Sequence, residues 1–244
     1  MTHRLLTFGV LLGAAAFNAN ATLISFTGAD DVGLVYSSVG NVTWTQDANL
    51  LATLESTYGF RNVIQAIIAA SPTVSDTPNS FDGYTGSYTV KTTDFSSDGR
   101  ANWFGAQAFV GLLNRVNYGG SSQWRLPTSN AIDGYDGSAG NELGQLVYRE
   151  LDGSASNSIP NTSSFDHEQA SSYWSGTENA ASPGSAWYFE AYYSSQANRR
   201  KTYQHYVWAV SPGRLSAVPI PGAVWLMGSG LMGLLGLKRR GRVG

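Results

Sequence analysis

The residues of this chain predict an irregular α+β domain, or a mostly β one, and three observations carry that expectation. Only 13% of the 244 residues are charged, while Gly, Ser, Asn and Thr are abundant. Short apolar runs alternate with long polar loops, as in domains of short strands joined by irregular connections. One stretch, residues 103–116, repeats its apolar positions at intervals of three and four, the signature of a half-buried helix.

Each element follows from its local pattern. Gly33-Leu34-Val35-Tyr36 and Asn41-Val42-Thr43-Trp44 read as two short strands around a Ser-Ser-Val-Gly turn. Asp47 can cap a helical segment starting near Ala48. Residues 60–70 read as a second helix with Val63, Ile64, Ile67 and Ile68 on one face. Residues 71–86 form a loop rich in Pro, Ser and Asp, and 87–93 a strand, being β-branched and alternating. Asn102 then caps the helix at 103–116, whose stripe is Trp103, Ala106, Phe109, Val110, Leu113 and Val116; Asn117-Tyr118-Gly119-Gly120 ends it. Asn141 or Ser138 starts a further helix with Leu143, Leu146, Val147 and Leu151 inward. Strands are expected at 172–175, 186–193 and 203–210.

The two ends read as targeting segments. His3 and Arg4 precede an apolar stretch from Leu5 to Phe17, and Ala19-Asn20-Ala21 has the small-x-small form of a cleavage site. Residues 1–21 are therefore expected to be a signal peptide. At the other end, Val218-Pro219-Ile220-Pro221 leads into an apolar run over 222–237, followed by Lys238, Arg239 and Arg240. As a helix that run is about 24 Å long at ~1.5 Å per residue, enough to bridge most of a ~30 Å hydrocarbon core. The basic cluster belongs on the cytoplasmic side, which places the rest of the chain outside. This tail resembles the PEP-CTERM sorting signal processed by exosortase-type enzymes of Gram-negative bacteria, with Ile220 where the usual motif has Glu. An ordinary tail anchor is the alternative. The organisation expected is thus 1–21 signal peptide, 22–213 domain, and 214–244 linker and sorting signal with a transmembrane helix at 222–237.

Charge and cysteine content narrow the function. The formal net charge of −2 hides a body with ten basic against 17 acidic residues. Such a body is a poor nucleic-acid ligand, because phosphate contacts need clustered cations. The chain has no cysteine, so disulfides, thiolate metal sites and thiol nucleophiles are excluded. Burial must replace them. Six of the seven Trp lie in the body, and each buried aromatic contributes at most ~4–6 kcal/mol at ~25 cal/mol per Å².

Five blocks occur in a telling order: residues 33–49, with Gly33-Leu34-Val35-Tyr36 and Asn41-Val42-Thr43-Trp44; Trp124-Arg125-Leu126-Pro127-Thr128 with Glu142-Leu143; Tyr173-Trp174-Ser175-Gly176-Thr177-Glu178; Ala186-Trp187-Tyr188-Phe189; and Val207-Trp208-Ala209-Val210. In that order they resemble the Lcl C-terminal-like domain family of bacterial exported proteins, over most of residues 33–213. The resemblance implies an α+β, C-type-lectin-like fold: a twisted antiparallel sheet, flanking helices and long loops. The chain departs from compact members at 129–140, which separates the Arg-Leu-Pro-Thr block from Glu142. On the residues themselves, Trp124, Trp174, Trp187 and Trp208 are expected in the core. Pro127 is expected to fix a turn. Arg125 is expected to pair with a buried carboxylate, with Glu142 and Glu178 as candidates.

Few residues suggest chemistry. Asp133, Asp136, Asn141 and Glu142 supply hard oxygens on a Gly-rich loop that could suit Ca²⁺, without matching an EF-hand; a solvated acidic turn is the alternative. Asp94 and Asp98 near Gly99 present the same choice. No Gly-x-Ser-x-Gly elbow is present, and His167 and His205 have no zinc-like spacing. The chain is read as a non-enzyme with no required cofactor. Tyr84, Tyr135, Tyr192 and Tyr193 are candidate sugar-stacking residues. Arg199-Arg200-Lys201, the body's basic cluster, could take a sulfated or carboxylated glycan, or be a solvated hairpin tip. The leading expectation is an exported adhesion or glycan-binding module at the cell surface or in the extracellular matrix. Its partners would be an exosortase-type enzyme, the membrane through the tail, and glycans or exopolysaccharide. A structural matrix component without a discrete ligand site is the alternative.

Overall fold

The protein is described by a computed structural model covering residues 21–78, 86–154 and 163–216. Residues 1–20 of the expected signal peptide at 1–21, Tyr84, and the expected sorting residues Val218, Pro219, Pro221, Lys238, Arg239 and Arg240 with the 222–237 run lie outside the described residues. Among the described residues no helix is long and apolar enough to cross a membrane.

In chain order, strands β1 (Leu23–Thr27), β2 (Gly33–Ser37) and β3 (Val42–Thr45) lead into helices α1 (Leu50–Tyr58) and α2 (Phe60–Ala70). Strands β4 (Thr73–Ser75), β5 (Ser87–Thr89) and β6 (Arg100–Ala101) precede helix α3 (Trp103–Arg115). After a long loop come α4 (Glu142–Gln145), continued by a π turn at Leu146–Glu150, and strands β7 (Ser172–Glu178), β8 (Ser185–Glu190), β9 (Ser195–Arg200), β10 (His205–Tyr206) and β11 (Val210–Pro212). The result is a mixed α+β fold. Where one twisted sheet was expected there are two, ordered β1-β2-β3-β11 and β6-β10-β7-β8-β9, with a separate β4-β5 ribbon. All pairs are antiparallel except β10 with β7.

Consecutive residues of an extended chain face opposite ways, and this chain uses that to fill two cores. Leu34, Trp174, Val207 and Ala209 enter the core beneath α1, α2 and α3. Their neighbours Val35, Tyr173, Trp208 and Val210 enter a second core with Leu143, Leu146, Val147 and Phe165. Trp208 centres the second core, with ring centroids of Phe165, Trp44 and Tyr173 at 4.8, 5.0 and 5.5 Å. Trp124, Trp174, Trp187 and Trp208 are all buried. A buried indole N–H needs an acceptor, and three of the four have one: Trp124 donates to Tyr118 O, Trp174 to Ala101 O and Trp208 to Thr45 O, at 2.8–3.0 Å.

Local expectations are refined in several places. Asn102 Oδ1 accepts from Gly105 N, capping α3, but Val116, expected on its buried stripe, is 54% exposed because the helix ends at Arg115. The strand expected at 87–93 stops at Thr89 and pairs with β4 inside the presumed loop. Strand β9, Ser-Gln-Ala-Asn-Arg-Arg, lacks apolar alternation and is held by its full register against β8.

Candidate functional site

The Arg125 expectation resolves in favour of Glu142. Arg125 Nη1 and Nη2 donate to Glu142 Oε2 and Oε1, each at 2.7 Å, the fork geometry in which guanidinium and carboxylate bond most strongly. Thr128 N donates to the same Oε2 at 2.7 Å. Arg125 is also bridged to Val210 by both backbone bonds. The Trp-Arg-Leu-Pro-Thr segment is therefore clamped between the first sheet and the start of α4.

The inserted loop at 129–140 lies on this clamp and is fastened by Thr177 at Ser129, by Arg149 at Gly137, and above all by the buried Gln196 of β9. Gln196 exchanges backbone bonds with Gly134 at 2.8 Å, accepts from Ser129 Oγ at 2.8 Å and donates to Asn130 Oδ1 at 2.7 Å. Asn141 Oδ1 caps α4 through Gly144 N, while its amide donates to Asp136 O. A Cβ at Gly144 would come within 2.1 Å of that same carbonyl, so only glycine lets the loop rest on the helix there. Sequence patterning offered no signal for Gln196, a polar residue in a polar strand.

This arrangement carries the candidate tyrosines to adjoining segments. Tyr135, on the loop beside Gly134, is 56% exposed. Tyr192 and Tyr193, on the turn before β9, are 51% and 53% exposed and stand edge-to-face with centroids 4.8 Å apart. The two segments are linked by the Gly134–Gln196 bridge and by Tyr148, next to the loop's Asp136, whose hydroxyl donates to Ser194 O. Arg199 and Arg200, at the far end of β9, are exposed; the Arg199 guanidinium lies 4.3 Å over the Tyr203 ring.

Lys201 is a correction. It does not extend the exposed basic cluster; its side chain is wholly buried against Asp76 and Glu178. A backbone that leaves the β9 edge turns this third charge inward.

Three of the four calcium candidates, Asp136, Asn141 and Glu142, are engaged by other groups. Glu142 is bound to Arg125 and Thr128. Asp136 accepts from the Asn130 amide and from Ser138 N and Oγ, which together hold its carboxyl below the usual range, the Asn130 bond foremost. Asn141 caps α4. Asp133 is exposed. Among the described residues no group of three or more His, Cys, Asp or Glu side chains is gathered to hold a metal ion. Asp94 is similarly occupied, accepting from Tyr88, Lys91 and Asn102, and Asp98 pairs with Arg100 at 2.6 Å.

A polar cleft of about 350 Å³, unforeseen in the sequence, is lined by Asn49, Ala52, Thr53, Ser56, Thr57, His167 and Gln169. At its edge Asp47 Oδ2 accepts from Thr53 Oγ1 at 2.5 Å and lies 3.0 Å from His167 Nδ1. In a hydrolytic relay the imidazole stands between hydroxyl and carboxylate. Here the hydroxyl gives its hydrogen bond to the carboxylate directly, with His167 Nδ1 also 3.5 Å from Thr53 Oγ1. Nearby Glu55 is 6% exposed with neither carboxylate oxygen hydrogen-bonded in ordinary geometry. Burial pushes its carboxyl up to about 7, the Asp98 charge adding to the rise and the Gly99 amide opposing it. Glu55 is not among the residues lining the cleft.

Residues 33–211 match the family described as Lcl C-terminal domain. No curated protein and no solved structure matches the chain.

Proposed function

The chain belongs to the Lcl C-terminal domain family, and on that premise we propose that it is an exported surface or matrix protein whose domain binds glycans without catalysing a reaction. The observation that carries this reading is the set of half-exposed tyrosines, Tyr135, Tyr192 and Tyr193, on two segments fastened to each other. Aromatic faces held in place on a polar loop can stack on the apolar face of a sugar ring, and fixing them beforehand reduces the ordering cost of binding. Asn and Ser side chains of the same loop supply hydrogen bonds for hydroxyls, and Arg199 and Arg200 supply charge for an acidic glycan.

The rest of the chain fits this role. The domain is C-type-lectin-like, with long loops grafted on a sheet-and-helix frame. Residues 1–21 act as a signal peptide, and 214–244 as a PEP-CTERM-type signal that holds the protein at the membrane until an exosortase-type enzyme processes it. The protein then resides at the surface or in the extracellular matrix of a Gram-negative bacterium.

A glycan array on the purified protein, with and without Ca²⁺, tests the reading, together with isothermal titration of Ca²⁺ alone. Glycan hits that disappear in Tyr135→Ala and in Tyr192→Ala/Tyr193→Ala support it. An array without hits in either condition overturns it and leaves the structural matrix role.

A further inference from the structure

We propose that Lys201 and Asp76 condense to an intramolecular amide, with Glu178 as the proton carrier. Lys201 and Asp76 meet in the interior, with Glu178 at its edge, its side chain 25% exposed. The side chains of Lys201 and Asp76 are both 0% exposed, Lys201 Nζ donates to Asp76 Oδ1, and Glu178 Oε2 lies 3.2 Å from the same Nζ. The Trp103 and Phe104 rings face the amine at 4.5 and 5.8 Å. Neither Asp76 Oδ2 nor Glu178 Oε2 has another hydrogen-bond partner.

An ion pair alone is a poor use of such a site. One ammonium is buried with the Asp76 carboxylate and beside that of Glu178, one oxygen of each carboxylate is buried without a hydrogen bond of its own, and desolvated charge is compensated only when its hydrogen bonds are complete. Proton transfer removes the charge from the reacting pair: Lys201 becomes a neutral amine and Asp76 a neutral acid. Nζ then attacks Cγ of Asp76. Glu178 takes the proton leaving nitrogen and passes it to the departing hydroxyl. The C–O bond breaks as the C–N bond forms, one water leaves, and Glu178 returns to its starting state. No oxidant, reductant or metal is needed. The aromatic wall keeps bulk water from reversing the step.

The reacting groups are also held in place. Lys201 N donates to Gly184 O at 3.0 Å, Trp103 N donates to Lys201 O at 2.9 Å, and Asp76 N donates to Gly86 O at 3.2 Å. Fixed approach of nucleophile and carbonyl makes the reaction effectively unimolecular. The bond would join residues 125 apart in sequence, tying the end of β4 to the end of β9. It would give a cysteine-free exported chain a redox-independent covalent staple.

The test is mass spectrometry of the folded full chain, with its termini established by peptide mapping. The expected result is an intact mass one water below the sequence mass and a branched tryptic peptide joining Lys201 to Asp76, with no cleavage after Lys201. Glu178→Gln is expected to restore the full mass while circular dichroism shows a folded protein. A wild-type mass equal to the sequence overturns the proposal. So does a water loss that persists in Lys201→Met, which would mark a succinimide instead. Both the wild-type mass and its digest decide the matter even if a variant does not fold.

Discussion

Glu142 and Glu55 are buried to the same degree, 8% and 6% exposed, at two ends of the chain's helical set. Around Glu142, Arg125 and Thr128 present three donors at 2.7 Å. Around Glu55 there is none in ordinary geometry, and its carboxyl rises to about 7. The difference teaches that burial alone does not set the fate of a carboxylate here. The count of aimed donors does, because each replaces part of the lost hydration. One carboxylate locks a loop, and the other is expected to make the stability of the fold depend on pH.

Breaking the satisfied side of this comparison should cost most. Arg125→Ala leaves Glu142 buried without its charge partner, and urea unfolding should show a loss of about 3 kcal/mol, the low end for a broken buried pair, since Arg125 itself is partly exposed. A loss below about 1 kcal/mol would mean that the loop relaxes and hydrates Glu142.

The unsatisfied side is read through pH. The folded carboxyl of Glu55, raised from 4.5 to about 7, keeps a proton that the unfolded chain has lost. Its relative contribution is therefore full below pH 4.5 and declines as pH rises through 7. Glu55→Gln should remove that slope and, at pH 8, stabilise the protein by up to about 3 kcal/mol. His205 has the opposite sense. Burial between Trp174 and Tyr188, aided by the Arg199 and Arg100 charges, lowers it from 6.5 to about 4. Its contribution is full above pH 6.5 and is lost as pH falls toward 4. The two slopes oppose one another between about pH 4.5 and 6.5, so thermal melts of the wild type should vary little there. His205→Phe should expose the Glu55 slope, to which the Glu150 carboxyl, also raised by burial, adds in the same sense, with a Glu55 swing of up to about 3 kcal/mol across the window.

Smaller effects sharpen the loop's side. Gln196→Ala removes two side-chain bonds to Ser129 and Asn130 and should cost about 1–3 kcal/mol, with raised amide exchange confined to 129–141. Tyr135→Ala and Tyr192→Ala should alter stability by less than about 0.5 kcal/mol in denaturant titrations, as exposed positions do. A larger loss would make those tyrosines packing residues and count against a binding role.

The clamp was half legible beforehand. An arginine inside an apolar block demands a carboxylate, but nothing local distinguishes Glu142 from Glu178. The distinction rests on the backbone bridge from Arg125 to Val210, more than 80 positions away, and on Glu178 being taken by Lys201. Likewise Arg199-Arg200-Lys201 reads as one charged run. Its outward and inward members separate only once β9 is paired with β8 and the chain turns at residue 201.

What the sequence determined by itself was local and periodic. It specified α2, the capped start of α3, the inward face of α4 and the tryptophans of the core, because hydrophobic spacing and caps act within a few residues. It also specified the cysteine-free chemistry. The tertiary structure decided which charges found partners, how alternating residues were shared between two cores, and where the tyrosines of separate segments came to adjoin. Those outcomes depend on contacts between residues far apart in the chain, whose energies no local pattern encodes.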